Sequence, residues 1–416
     1  MKSYTINAPQ QIDATIELPA SKSISNRALI IYALSHGGIL PKNLSDCDDT
    51  EVIIAALKNS PDIIDIKAAG TAMRFMTAFL SSTLGSHTIT GTERMQHRPI
   101  KILVDALKSL GANISYIKED GFPPLHITGK QLTGGHLQIP GNISSQYISA
   151  LLMIGPILKQ GLELKLSGEI VSRPYINMTL KIMAYFGAEA QWESENIIKV
   201  SPKPYINKAY LVENDWSGSS YWYEIMALCK DDQAKIHLTG LFRNSLQGDS
   251  VIQDIFAKLG VRTVFEESGT DATTTVTLTK TPYHLESFTY DFTKCPDLAQ
   301  TVVVTCCELG IKFHFTGLAS LKIKETDRIE ALKIELRKLG FILHDEHDDT
   351  LIWNGDRCEA SMAPIDTYED HRMAMAFAPT CFVHKNLLMN NPQVVSKSYP
   401  HFWDDLRQAN FLIKQN

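Results

Sequence analysis

A helix type that recurs at a near-constant interval restricts the fold more than any other feature of the sequence. Each copy is an apolar run that closes on Leu-Gly or Phe-Gly and gives way to alternating, strand-like residues. The copies span 103–110 before Gly111, 180–186 before Gly187, 251–259 before Gly260 and 331–339 before Gly340, and the glycines lie 76, 73 and 80 residues apart. Glycine takes the left-handed conformation that stops a helix without a Cβ penalty. The alternation of Ile114 with Tyr116, and of Val261, Thr263 and Phe265, predicts a strand after the turn. Residues 51–58 form a less regular copy with Asn59 in the glycine's place, and 402–409 form another.

Between these helices the sequence predicts a second kind, short, apolar and led by small or hydroxylated residues: 25–34, 71–81, 144–153, 217–228, 297–306 and 370–377. Six alternations in 416 residues give a repeat of about 69 residues. β-patterned pieces separate the helices, among them 87–90, 125–127, 135–139, 162–166, 235–239 and 274–278. Six βαβαββ-like units exceed what one ordinary core holds, whereas three could close around each of two cores. The loose composition of 193–216, with Pro202, Pro204 and Gly218 beyond, suggests a crossover near residue 214. Residues 12–17 precede the first hydroxyl-led helix, and this strand could pair with the second half of the chain.

Composition narrows the partners. A formal charge of -6 and a pI near 6.1 argue against nucleic acid or an anionic membrane surface. No apolar run approaches the ~18 residues of a membrane span. Seven cysteines (47, 229, 295, 306, 307, 358 and 381) form no CxxC pair and read as reduced thiols. The histidines show no HExxH or other ligand spacing, so no metal and no cofactor is expected. Met1-Lys2-Ser3-Tyr4 leads into strand-like sequence rather than a secretory h-region, which makes the expected location cytoplasmic. An anionic substrate would therefore need positive charge concentrated locally.

Cations do recur where helices begin. Leu18-Pro19-Ala20-Ser21-Lys22-Ser23-Ile24-Ser25-Asn26-Arg27 turns from an extended segment into a helix that Ser21 or Ser23 could cap. A helix N-terminus furnished with Lys22, Arg27 and serine hydroxyls suits a phosphate or carboxylate, with an ordinary capped helix as the competing reading. Gly70 permits close approach at the next such helix, and Arg74 could face a ligand or an acid. Arg98 is fixed against Pro99, which suits a first helical turn. Ser144-Ser145-Gln146 and Ser172-Arg173-Pro174-Tyr175 offer hydroxyls, an amide and a phenol that fit a small polyol phosphate. The second half adds acids: Asp297 after Pro296, Lys324-Glu325-Thr326-Asp327-Arg328, Asp370-His371-Arg372, then the late cation Lys397. Asp297, Glu325 and Asp370 could be helix caps, or carboxylates among cations ready to accept a hydroxyl proton. The two halves look complementary, as for a cleft receiving two anionic substrates.

Nine segments in one order carry a resemblance: LPASKSISNRAL (18–29), AGTAMR (69–74), ERMQHRPI (93–100), SSQYISALLM (144–153), VSRPYI (171–176), NSLQGD (244–249), PDLAQT (296–301), KETDR (324–328) and DHRMAM (370–375). From residue 12 to about 406 the sequence closely resembles the enolpyruvyltransferase family. The resemblance implies an α/β fold of two domains, each of three βαβαββ units with helices around a buried centre. It implies a first lobe at 20–213 and a second at 1–19 plus 214–416. The implied reaction moves the enolpyruvyl group of phosphoenolpyruvate onto the 5-hydroxyl of shikimate 3-phosphate and releases phosphate, without a metal. A monomer is expected.

By the same resemblance, Lys22, Ser23, Arg27, Ser144, Ser145, Gln146, Ser172, Tyr175, Asp297 and Lys324 would hold shikimate 3-phosphate. Lys22, Gly70, Arg98, Gln146, Arg328, Arg372 and Lys397 would hold phosphoenolpyruvate. Asp297 would take the hydroxyl proton, Glu325 would exchange the methylene proton, and Lys22 would assist the phosphate. Ala20, Ala68, Arg173 and Ser320 depart from the family's usual Gly, Asn, Lys and Asn, and 57–68 is shorter than usual. Gly70 beside Thr71 leaves space for glyphosate, so sensitivity is expected. Two alternatives compete. A family branch acting on UDP-N-acetylglucosamine expects Lys-Asn where Lys22-Ser23 stands, and a cysteine that 91–98 lacks. A non-catalytic anion-binding scaffold could use the same repeats.

Overall fold

The computed structural model describes residues 2–171, 173–267 and 274–416. The chain divides into two compact units, Ala20–Val212 and Met1–Pro19 with Glu213–Asn416. Each is α/β, and one strand order recurs in both.

In the Ala20–Val212 unit, Ile63–Asp65 runs parallel to Gly85–Thr90, which pairs antiparallel with Leu125–Gly129 and so reaches Asn113–Tyr116. Gly135–Pro140, Leu162–Ser167, Ile197–Val200 and Ala190–Trp192 repeat that order. An isolated parallel bridge between Lys42 and Leu211 is what remains of a third copy among the described residues. The short 57–68 segment has its counterpart in the three-residue strand Ile63–Asp65, half the length of Gly135–Pro140.

The other unit has the same pattern. Asp13–Glu17 lies parallel to Lys235–Leu241, followed by Thr274–Lys280 and Val261–Glu267. The strand ahead of the first helix thus does pair with the second half of the sequence, burying Ala14 and Ile16. Ser287–Asp291, Lys312–Thr316, Thr350–Trp353 and His344–Glu346 form the next sheet. The last joins Leu387–Asn390, Ser3–Asn7 and Leu412–Gln415, with a parallel bridge from Ile365 to Met389 in place of a first strand.

The two helix types take different environments. Trp216–Leu228 and His371–Phe377 are buried at every position, and Gly70–Ser82 at all but Phe79. A helix buried all round cannot hand its hydroxyls to water, so they must bond within the protein. Thr77 donates to the Met73 carbonyl at 2.7 Å, Ser81 to Thr77 at 2.6 Å, Ser219 to Trp216 at 2.7 Å and Thr305 to Thr301 at 2.7 Å. Small hydroxylated residues therefore suit these central helices because they satisfy themselves one turn back. The glycine-terminated helices Lys101–Ser109 and Arg328–Lys338 instead keep an outer face in solvent.

The stop signals fall where the repeat puts them: Gly111, Gly187, Gly260 and Gly340 have φ between 86° and 100°. The less regular copy differs. Helix Asp48–Asn59 runs through Asn59, and Ser60, at φ 41°, takes the left-handed position while its N–H reaches the Ala56 carbonyl. After Phe402–Gln408 the corresponding residue is Asn410, at φ 67°. Two expected helix starts are also tighter. Pro296–Leu298 is a 3-10 turn leading into Ala299–Leu309, and Gly248–Val251 leads similarly into Ile252–Ala257. Proline at a helix entrance lacks the N–H of a regular first turn and tolerates this tighter winding.

Glu213 begins the second segment of its unit and fixes the following turn. One carboxylate oxygen accepts from the Ser245 hydroxyl at 2.9 Å and the Leu246 N–H at 3.0 Å; the other is buried without a hydrogen-bond partner. Burial raises this carboxyl from 4.5 to about 7, against the opposing hydrogen bonds. The unfolded chain therefore loses its proton first, and folding stability falls as pH rises from about 4.5 to about 7. Urea titrations across that range are expected to show a shallower decline for Glu213→Gln than for the parent.

Candidate active site

In the Ala20–Val212 unit the polar residues gather where central helices begin. Ser21 occupies the N-cap position of Lys22–Leu34, but its hydroxyl makes no capping bond and is buried without a partner. Nor does Ser23 supply one; its carbonyl accepts from Arg27 at 2.7 Å. This end of the helix thus lacks the side-chain cap the sequence suggested. Lys22 places its ammonium 4.0 Å from the Asp49 carboxylate.

Arg27 is buried rather than solvent-facing. It donates to Thr179 at 2.7 Å and Ser149 at 3.1 Å, and its guanidinium lies over the Phe75 ring. Burial brings its pKa down to about 10, partly opposed by Tyr175 nearby. Ser149 and Thr179 belong to Ser145–Ile154 and Arg173–Tyr185, so Arg27 ties three helices together beside Tyr175.

Gly70, Thr71, Arg98 and Gln146 come together. A Cβ on Gly70 would lie 2.7 Å from an Arg98 terminal nitrogen and 3.1 Å from one of Arg74. Gln146 donates its amide to the Thr71 hydroxyl at 3.0 Å. Ser144 caps its helix by accepting the Gln146 N–H at 3.4 Å, and Ser145 behind it is buried. Arg74 takes neither role foreseen for it. It donates to the Gly70 carbonyl at 3.0 Å and the Pro99 carbonyl at 3.4 Å, lying over the Tyr147 ring. Pro99 stands outside the first turn, since its helix starts at Lys101. Arg173 stacks on Trp192 at 4.2 Å and donates to the Glu195 carbonyl. Ser172 lies outside the described residues.

In the second unit the acids and cations form one network. Arg328, 1% exposed, donates to Asp370 at 2.7 and 3.2 Å, to Asp297 at 3.2 Å and to Glu325 at 2.9 Å. Arg372 donates to Asp297 at 3.0 Å and to the Tyr221 hydroxyl at 3.3 Å. Lys324 lies 3.6 Å from Asp297, and Lys397 lies 2.9 Å from Glu325. Among the described residues, four cations thus meet three carboxylates.

This arrangement fixes protonation. Burial alone would raise Asp297, but Arg372, Lys324 and Arg328 outweigh it and hold the carboxyl well below its usual range. Burial likewise opposes the charge on Arg328, and Asp370, Glu325 and Asp297 more than restore it. Asp370 takes the cap role, accepting the Arg372 N–H at 2.9 Å, and pairs with Arg328 through both oxygens.

Three members were not singled out from sequence as site residues. Asp249 bonds to Ser217, and burial together with Asp297 raises its carboxyl to about 7. The segment NSLQGD ends on Asp249, and that segment was the available signal. Gln300 falls in the segment PDLAQT and carried the same signal, whereas Tyr221 sits inside a run that reads as core.

The EPSP synthase (3-phosphoshikimate 1-carboxyvinyltransferase) family model matches residues 6–60 and 55–406. A Bacteroides fragilis protein named 3-phosphoshikimate 1-carboxyvinyltransferase is 61% identical over 412 residues, covering 99% of this chain and 98% of its own length. A Shewanella pealeana protein of the same name is 35% identical over 432 residues, with 97% and 98% covered. The solved structure of EPSP synthase from Acinetobacter baumannii shares the fold, with a TM-score of 0.78 at 19% identity over the whole of both chains.

Lysine cannot reproduce the forked donors that Arg328 extends to three carboxylates. Arg328→Lys is expected to lower unfolding free energy by about 3–5 kcal/mol, the range for breaking a buried ion pair, as read from urea denaturation.

Proposed function

This chain belongs to the EPSP synthase (3-phosphoshikimate 1-carboxyvinyltransferase) family, and from that premise we propose how its residues serve the reaction. The enolpyruvyl group of phosphoenolpyruvate passes to the 5-hydroxyl of shikimate 3-phosphate with release of phosphate, a step of the shikimate pathway to chorismate. The observation that carries the reading is the ionised Asp297, held by three cations in a chain 61% identical to its relative over nearly its whole length.

The hydroxyl oxygen attacks the substituted carbon of phosphoenolpyruvate while its proton goes to Asp297 and the methylene carbon gains a proton. The resulting tetrahedral adduct loses a methyl proton and phosphate, restoring the double bond. Asp297 is available for the first transfer because Arg372, Lys324 and Arg328 keep it ionised. Glu325 is assigned the exchange at the methylene carbon, supported by its place between Arg328 and Lys397. Lys22 is assigned to the phosphate.

Arg98 with Gly70, Gln146, Arg328, Arg372 and Lys397 are the groups read as holding phosphoenolpyruvate; fixed cations of this kind stabilise charge as it develops. Ser23, Arg27, Ser144, Ser145, Ser172, Tyr175 and Lys324 are read as holding shikimate 3-phosphate. No helix among the described residues is long and apolar enough to cross a membrane. All seven cysteines are free, which supports a reducing, cytoplasmic location.

Phosphate release is expected to require both substrates, and Asp297→Asn and Lys22→Ala are each expected to lower kcat by about 10²–10⁴. Near-parental turnover in either variant removes that residue's role. Gly70→Ala puts a methyl against Arg98, so KM for phosphoenolpyruvate is expected to rise about tenfold or more while that for shikimate 3-phosphate holds. Glyphosate is expected to compete with phosphoenolpyruvate for the parent enzyme at about millimolar concentration or below; a titration without competition refutes this.

A further inference from the structure

Arg328 and Arg372, the two arginines of the charge network, are each met by a buried neutral side chain from a central helix. Tyr221, 1% exposed on Trp216–Leu228, accepts from Arg372 at 3.3 Å. Gln300, 0% exposed on Ala299–Leu309, places its amide oxygen 3.0 and 3.2 Å from two nitrogens of Arg328 once its amide is oriented to satisfy the donors around it. Burial raises the Tyr221 phenol to about 12, against the pull of Arg372, so it stays neutral.

Neutral acceptors do something here that more carboxylates could not. Asp297, Glu325 and Asp370 already neutralise most of the positive charge of Arg328, Arg372, Lys324 and Lys397. A further full negative charge would cancel the remaining attraction for an anion, and Asp249, its carboxyl raised to about 7 by burial and Asp297, adds only part of one. A phenol or an amide orients a guanidinium while leaving its charge intact. The contacts with Asp297 and Glu325 also face exchange, since an arriving carboxylate or phosphate competes for the same N–H groups. A support that does not exchange keeps each guanidinium in place while the anions trade.

Resting on the reading that these arginines hold phosphoenolpyruvate, we propose that Tyr221 and Gln300 are positioning residues for that substrate, fixing Arg372 and Arg328 from the protein interior. Neither touches the reacting atoms. Their effect falls on the affinity of one substrate.

The test is steady-state phosphate release by Tyr221→Phe and Gln300→Met, which remove the acceptors while approximately keeping volume. Each is expected to raise KM for phosphoenolpyruvate about tenfold, as for loss of a hydrogen bond to a charged group. The KM for shikimate 3-phosphate and kcat stay within about twofold. Gln300→Glu keeps an acceptor but adds a negative charge, and is expected to raise KM for phosphoenolpyruvate further.

An unchanged KM for phosphoenolpyruvate in the first two variants overturns the proposal. So does a loss shared equally by both substrates and kcat alongside a fall in Tm, because that is a structural effect. Should the parent release no phosphate, the reaction assignment fails on its own. Calorimetric titration of parent and Tyr221→Phe with phosphoenolpyruvate then decides the positioning role, weaker binding by the variant supporting it and equal binding or no binding to either ending it.

Discussion

A guanidinium closed off from water governs the second unit. Arg328 is an expensive group to bury alone, and Asp370, Asp297 and Glu325 around it offset that cost. Arg372, Lys324 and then Arg328 hold Asp297 ionised, so the acid that helps offset the burial of one arginine has its own state set by several cations. Structure and reactivity here are two readings of one charge balance. The arrangement further explains why the acids cluster at helix starts. Asp370 accepts a backbone N–H at Oδ1 and chelates the arginine through both oxygens, so one residue starts the helix and anchors the guanidinium.

Much of the architecture was legible because it depends on local signals. Four Leu-Gly or Phe-Gly closures marked helix ends, and all four glycines have the left-handed backbone that the signal requires. The same logic failed by one residue at Asn59, where the helix continued and Ser60 turned instead. A local rule identifies the kind of stop more reliably than its address, since neighbouring packing decides which residue ends the last turn. The strand order that repeats from sheet to sheet was legible only as periodicity; registers such as Asp13 beside Lys235 needed the folded chain.

The site was legible in its residue types and not in its pairings. Asp370 and Arg328 are 42 positions apart, and nothing in either segment announces a chelate between them. The cap foreseen at Ser21 or Ser23 is missing, because Ser21 turns its hydroxyl into the interior while Ser23 offers a carbonyl to Arg27. Arg74 was weighed between ligand and acid, yet it serves two backbone carbonyls and an aromatic face. Tyr221 was hidden for the opposite reason: a phenol inside an apolar run looks like core until its partner, an arginine on another element, is known.

Ser3–Asn7 pairs on one side with Leu387–Asn390 and on the other with Leu412–Gln415. Ser3–Asn7 therefore finds its neighbours only after Leu387–Asn390 and Leu412–Gln415 have left the ribosome. Asp13–Glu17 must likewise wait for Lys235–Leu241. By then the whole of Ala20–Val212, whose sheets pair within that span among the described residues, has already been synthesised and can gather its own core. Translation thus imposes a schedule in which the inserted unit can mature early while Ser3–Asn7 stays unzipped until those later strands are made, with long loop closures among the slowest steps.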